Sequence, residues 1–217
     1  MCGIVAYLGP RPAPPILLEG LRRLEYRGYD SAGCALLEQG ELVVCRRVGR
    51  VADLERGLSE SNLLHSQANQ GIAHTRWATH GPPTEANAHP HTDDGGSREA
   101  HGIALVHNGI IENHEALRQL LTQRGHVFQG QSDTEVLAHL VGELYEDDLE
   151  TAVRSALQKV EGAFAIAVIS VREPGVLVAA RRGSPLLVGV GDKEFVVASD
   201  GAAIVSHTSR AFALEDD

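Results

Sequence analysis

The sequence predicts an α+β fold: a layered domain of two mainly antiparallel β-sheets with helices packed outside them. Three observations carry this. Strand-like apolar runs and helical segments fall in blocks instead of alternating one for one. Turn signals at Gln39-Gly40, Arg172–Gly175 and Asp192-Lys193 sit between paired apolar runs, as hairpins require. Three segments with helical spacing follow one another between Asn113 and Val160.

Taken in order, Cys2–Leu8 reads as a strand that starts at the very N-terminus. After the Pro-rich turn, Leu17, Leu18, Leu21 and Leu24 recur at helical spacing. Residues 34–48 read as a hairpin, and Val51, Leu54 and Leu58 mark a short helix. The segments 71–81 and 102–113 share one pattern, an apolar strand running into a polar, Gly-containing exit, which is where sites are commonly built. The stretch between them is rich in Pro, Gly and polar residues and reads as a long loop. Asn113 fits an N-cap with Gly125 as the C′ residue, and Asp133 caps a second helix bearing Val136, Leu137, Leu140, Val141 and Leu144. Leu149–Val160 forms a third, and four strands follow to Ser199.

The chain has 217 residues, 43% hydrophobic and 22% charged, which is ordinary globular usage for one large or two small domains. Aromatics are only 4%, so the core is built from Leu, Val, Ile and Ala. A net charge of −10 argues against a nucleic-acid surface. The longest apolar run, near Gly162–Val171, is too short to span a bilayer, and the N-terminus lacks the basic and long apolar regions of a signal peptide. A cytoplasmic location is the expectation. Cys2, Cys34 and Cys45 show no CxxC spacing, so neither a disulfide framework nor structural zinc is expected. Eight of the eleven histidines lie between His74 and His126, but apart from the His89–His91 pair they show no metal-ligand spacing; no metal is expected.

Cys2 follows Met1 directly. It is small, so removal of Met1 is expected, leaving a thiol and a free α-amine on one residue. Their reference pKa values, about 8.5 and about 8, allow the amine to serve as base for the thiol. The plainer alternative is a buried small hydrophobe on an edge strand. Asn108-Gly109 reads as a turn pair or as a two-donor oxyanion site. Arg76 suits a carboxylate. Asp133 reads as a helix cap or as the partner of an ammonium. Arg27 ends a helix, where a cation complements the dipole. Trp77 reads as a packing anchor.

The segments Cys2–Val5, 22–33, 71–81, 107–114 and 132–136 resemble, in this order, the class II glutamine amidotransferases, and most closely the glutaminase domain of the glutamine–fructose-6-phosphate aminotransferases (isomerising). The resemblance implies a four-layer αββα N-terminal-nucleophile hydrolase fold. It implies one glutaminase domain over residues 1–217, without the sugar-isomerase domains of the full synthase. It implies hydrolysis of L-glutamine through a thioester on Cys2, with Asn108 and Gly109 holding the oxyanion and Arg27 beside the nucleophile. Arg76 would bind the α-carboxylate and Asp133 the α-amine, Thr79 and His80 would line the pocket, and Trp77 would close over it. No cofactor is implied. The implied partners are isomerase domains or a separate acceptor subunit, with a homodimer in the full-length context. The rivals are a non-catalytic glutamine-binding module, a glutaminase half serving another acceptor, and a metal hydrolase built on the histidines.

Overall fold

The computed structural model describes residues 2–77, 81–93 and 102–216. Strand β1 (Gly3–Leu8) begins directly after Cys2, and helix α1 (Ala13–Leu24) follows with proline in its first turn, where a missing N–H is harmless. A 3₁₀ turn (Glu25–Arg27) extends α1. Strands β2 (Ser31–Glu38) and β3 (Glu41–Val48) form the expected hairpin, with Gln39 and Gly40 both at positive φ. Then come α2 (Val51–Glu60), β4 (Gln70–Arg76), β5 (His91–Thr92) and β6 (Ile103–Ile111). The helical block is α3 (His114–Gln123), α4 (Asp133–Glu143) and α5 (Leu149–Leu157). Strands β7 (Gly162–Ser170), β8 (Val178–Arg182), β9 (Leu187–Val190), β10 (Phe195–Ala198) and β11 (Ala211–Ala213) complete the chain.

The strands form two antiparallel sheets, one in the order β11-β9-β10-β1-β4-β2-β3 and one in the order β5-β6-β7-β8. Period-two alternation sorts their side chains into three apolar layers. Val5, Tyr7 and Ala73 face α1 and α2. Ile103, Leu105, Phe164, Ile166 and Val168 face α3, α4 and α5. Ile4, Ala6, Ile72, Ala104, Val106, Ala165 and Ala167 fill the space between the sheets. This is the αββα layering. Because both faces of the central strands are covered, β1 and β7 read as continuous apolar runs.

Three local expectations are corrected. β1 lies between β10 and β4, so the strand that carries Cys2 is central, not an edge. The long loop contains a 3₁₀ turn (Glu85–Asn87) and β5. Ser132, not Asp133, caps α4, its hydroxyl accepting from the Thr134 N–H at 3.2 Å. No helix among the described residues is long and apolar enough to cross a membrane.

Candidate active site

The site forms where the N-terminal end of β1 meets the C-terminal end of β4 and the far part of β6. Gly3 pairs with Thr75 across β1 and β4, so Cys2 lies beside Arg76 and Trp77. The Cys2 sulfur accepts from the Trp77 backbone N–H at 3.2 Å, and its thiol points to the Trp77 carbonyl at 3.6 Å. Burial pushes the Cys2 thiol up, while the Trp77 N–H and the Arg76 and Arg27 cations act against that rise. A thiol of this kind is protonated near neutrality and needs a base before it can attack.

Period two on β4 places Ile72, His74 and Arg76 on the face toward the second sheet. On β6 it places Ala104, Val106 and Asn108 opposite them. The Asn108 amide Nδ2 donates to the Cys2 carbonyl at 3.2 Å, and Oδ1 lies 2.9 Å from His74 Nε2. Gly109 has φ +136°, and a Cβ there would collide with the Ala163 carbonyl oxygen, so only glycine fits. The Asn-Gly pair is therefore not a turn. It stays inside the β6–β7 ladder, Asn108 opposite Ala165 and Gly109 opposite Phe164.

Asp133 opens α4. Its Oδ2 accepts from the Ile111 backbone N–H at 2.9 Å, which ties the helix to β6, and its Oδ1 accepts from the Thr134 hydroxyl at 3.3 Å. His107, on the other face of β6, reaches the same Thr134 hydroxyl at 3.0 Å. Arg76 is buried and contacts the Gly81 carbonyl at 3.4 Å. Burial lowers its pKa, whereas Cys2 and Asp133 lie close enough to favour the cation. Cys2, Arg76, Trp77, Gly109 and Asp133 line one cleft, joined by His89, His107, Ser132 and Thr134. A far larger groove between α5 and β8 holds none of the residues singled out from the sequence, so size does not identify the site.

Arg27 sits in the 3₁₀ turn, buried, with its guanidinium 3.0 Å from Asp200 Oδ2. Asp200 also accepts from the Tyr26 hydroxyl and from the Ala202 N–H. Arg27 and Cys2 share the lining of an adjoining apolar hollow with Asn108, Gly109, Ile110, Ser184 and Pro185. The cation at the helix end is thus also held in a specific ion pair. The Trp77 side chain is half exposed and meets Tyr29 edge to face, 6.0 Å between ring centroids. Met1, Thr79 and His80 lie outside the described residues.

The sequence reading missed His74, His107 and Thr134, and considered His89 only as half of a metal-ligand pair with His91. The alternation Ile72-His74-Arg76 was the available signal for His74. His74, His89 and His91 are stacked or edge-on to one another, 4.1 and 5.0 Å between centroids. Burial drives all three toward the neutral ring, His74 to about 3. Among the described residues no group of three or more potential ligands could hold a metal ion.

A profile of the glutamine amidotransferase domain matches residues 84–206. The chain is 52% identical over its whole length to the glutamine–fructose-6-phosphate aminotransferase (isomerizing) of Chlorobaculum tepidum, and 50% identical to that of Streptomyces coelicolor. It spans about a third of those proteins' length, 35% and 34%. Among solved structures, the glutamine phosphoribosylpyrophosphate amidotransferase of B. subtilis superposes with a TM-score of 0.79 at 29% identity, covering 99% of this chain and 46% of that one. That enzyme supports the N-terminal-nucleophile fold seen in the layering. With half of the chain matched by the profile and the fold shared, the chain belongs to the glutamine amidotransferase domain family.

Proposed function

We propose that this domain hydrolyses L-glutamine to L-glutamate and ammonia through a γ-glutamyl thioester on Cys2. The observation that carries the reading is one cleft in which the sulfur lies among a buried guanidinium, a buried carboxylate and Gly109. A free α-amino acid has both charges these groups complement. Arg76 takes the α-carboxylate and Asp133 the α-ammonium, leaving the side-chain amide at Cys2. Trp77 covers the bound substrate and limits water access to the thioester.

Once Met1 is removed, the Cys2 α-amine accepts the thiol proton as sulfur attacks the amide carbon. The carbon–oxygen double bond becomes an oxyanion held by Asn108 Nδ2 and the Gly109 N–H. Collapse breaks the carbon–nitrogen bond, and the ammonium proton passes to the leaving ammonia. Water then attacks the thioester, releases glutamate and restores the thiol. Arg27, fixed by Asp200, favours the thiolate from the adjoining hollow. The residues supply nucleophile, base and oxyanion donors, so the scheme calls on no cofactor.

The ammonia acceptor is a proposal of a second kind. The relatives' names point to fructose 6-phosphate, aminated on the two thirds of those chains that this one does not span. The partner is then an isomerase portion or a separate acceptor subunit, with a dimer set by that portion, in the cytoplasm.

The test is intact mass before and after a glutamine-mimicking electrophile, together with glutamate release by Cys2→Ala. The reading expects a chain lacking Met1, one adduct blocked by glutamine, and no turnover by the variant. Turnover by Cys2→Ala near the wild-type rate would overturn it.

A further inference from the structure

We infer that His74 is a positioning residue of the oxyanion site, fixing which way the Asn108 side-chain amide faces. The inference rests on the glutaminase reading and deepens it. An asparagine amide fits its space in two orientations that exchange oxygen and nitrogen, and only one presents N–H groups to a developing oxyanion. In the wrong orientation Oδ1 would face the negative charge and repel it.

Two neighbours decide the orientation. The Cys2 carbonyl is an acceptor, so it selects Nδ2, at 3.2 Å. Oδ1 is then left facing His74 Nε2 at 2.9 Å, in a buried space between the sheets. That contact is attractive only if the ring carries its proton on Nε2. The other tautomer would demand a flipped amide and bring two oxygens together at Cys2. Cys2, Asn108 and His74 are therefore mutually satisfied in one arrangement alone, with one Asn108 N–H on Cys2 and the second left for substrate.

The ring itself is held in place. His74 is central in its sheet, paired with Ile4 of β1 and Gly33 of β2. The His89 ring stacks on it at 4.1 Å with 25° between planes. Gly33 makes room for His89, since a Cβ there would collide with the His89 carbonyl oxygen. His74 does not line the cleft or the adjoining hollow, so it acts through Asn108 and not on substrate.

The test compares His74→Phe, which keeps a ring and loses the donor, with His74→Gln, whose Nε2 stands near the ring Nε2 position. Glutamate release and iodoacetamide alkylation of Cys2 are measured for each, the second requiring no oxyanion. His74→Phe is expected to lower kcat ~10–100-fold. KM and the alkylation rate should stay within about twofold, and His74→Gln should recover most of kcat. In an Asn108→Ala background His74→Phe should cost nothing further. A His74→Phe kcat within twofold of wild type, or an undiminished effect beside Asn108→Ala, overturns the inference and leaves the glutaminase reading standing. If His74→Phe does not fold, His74→Met against His74→Gln carries the same comparison. A wild-type protein lacking Met1 that releases no glutamate overturns the glutaminase reading, and this inference with it.

Discussion

The backbone N–H of Trp77 donates to the sulfur of Cys2 at 3.2 Å, so the residue after the last position of β4 holds the nucleophile at the start of β1. Gly28 lies directly behind this contact. A Cβ on Gly28 would come within 2.8 Å of the Trp77 nitrogen and 2.9 Å of the Arg76 carbonyl carbon. Its φ of 178° is extended backbone that any residue adopts, so alanine there brings no strain of its own. Gly28→Ala should therefore move the Trp77 N–H and leave the fold intact. The expected outcome is a ~10–100-fold fall in kcat/KM for glutamine, slower alkylation of Cys2 at neutral pH, and an ordinary thermal transition. Wild-type kinetics in that variant would show that the contact does not matter.

Asn108 carries two separable consequences. Its loss removes an oxyanion donor, so Asn108→Ala should lower kcat by about 10²–10³ with little change in KM. It also removes the acceptor that His74 Nε2 faces, leaving a buried donor unmet at a cost of ~1–3 kcal/mol in stability. Steady-state kinetics and a urea midpoint on the same preparation separate the two. A variant that loses stability but keeps kcat would remove Asn108 from the chemistry.

Arg76 and Asp133 are tested by matching each variant to a substrate that lacks the group it is meant to bind. Arg76→Lys should raise KM for glutamine about tenfold or more, because a point charge replaces a bidentate fork. With 4-aminobutanamide, which has no α-carboxylate, wild type and variant should be equally poor. Asp133→Asn keeps an oxygen for the Ile111 N–H and so keeps the fold. It should lose affinity for glutamine but not for glutaramate, which has no α-amine. A uniform loss across all substrates would assign both residues to structure alone.

How much of this was legible in the sequence follows from how each residue is placed. Cys2, Arg76, Asn108, Gly109 and Asp133 sit at the ends or irregular points of elements, inside short motifs that can be read linearly. The cleft that joins them depends on register, with Gly3 opposite Thr75 and Asn108 opposite Ala165, and register is set by pairings the sequence does not state. The Asn108-Gly109 turn reading failed because a nine-residue strand runs through the pair and its neighbour β7 continues beside it. Asp133 failed as a cap because Ser132, one residue earlier, has the shorter reach to the Thr134 N–H, which frees the carboxylate for Ile111. His89 drew notice only for its pairing with His91, since only the packing of its loop across β2 brings its ring onto His74.

The buried histidines make a prediction about acid. His74, His89, His91 and His107 are each held toward the neutral form by burial, His74 to about 3. In the unfolded chain each titrates near its ordinary value of about 6.5. Below that pH the unfolded state binds more protons than the folded state, so stability rises with pH in this window and is lost as pH falls. The contribution is complete above about pH 7. For His74 alone the loss between pH 7 and pH 5 is ~2 kcal/mol, and the other three add losses of the same sign. Carboxylates held low in the fold, such as Asp200 with its Ala202 N–H, begin to contribute only nearer pH 4, which leaves pH 6.5–4.5 to the histidines. Urea midpoints at pH 7.5, 6 and 5 should fall steadily, and His74→Gln should flatten the slope. A midpoint independent of pH across that range would mean that the histidines are charged or solvated in the folded protein. The Nε2–H that faces Asn108 would survive that outcome, because the imidazolium carries it as well.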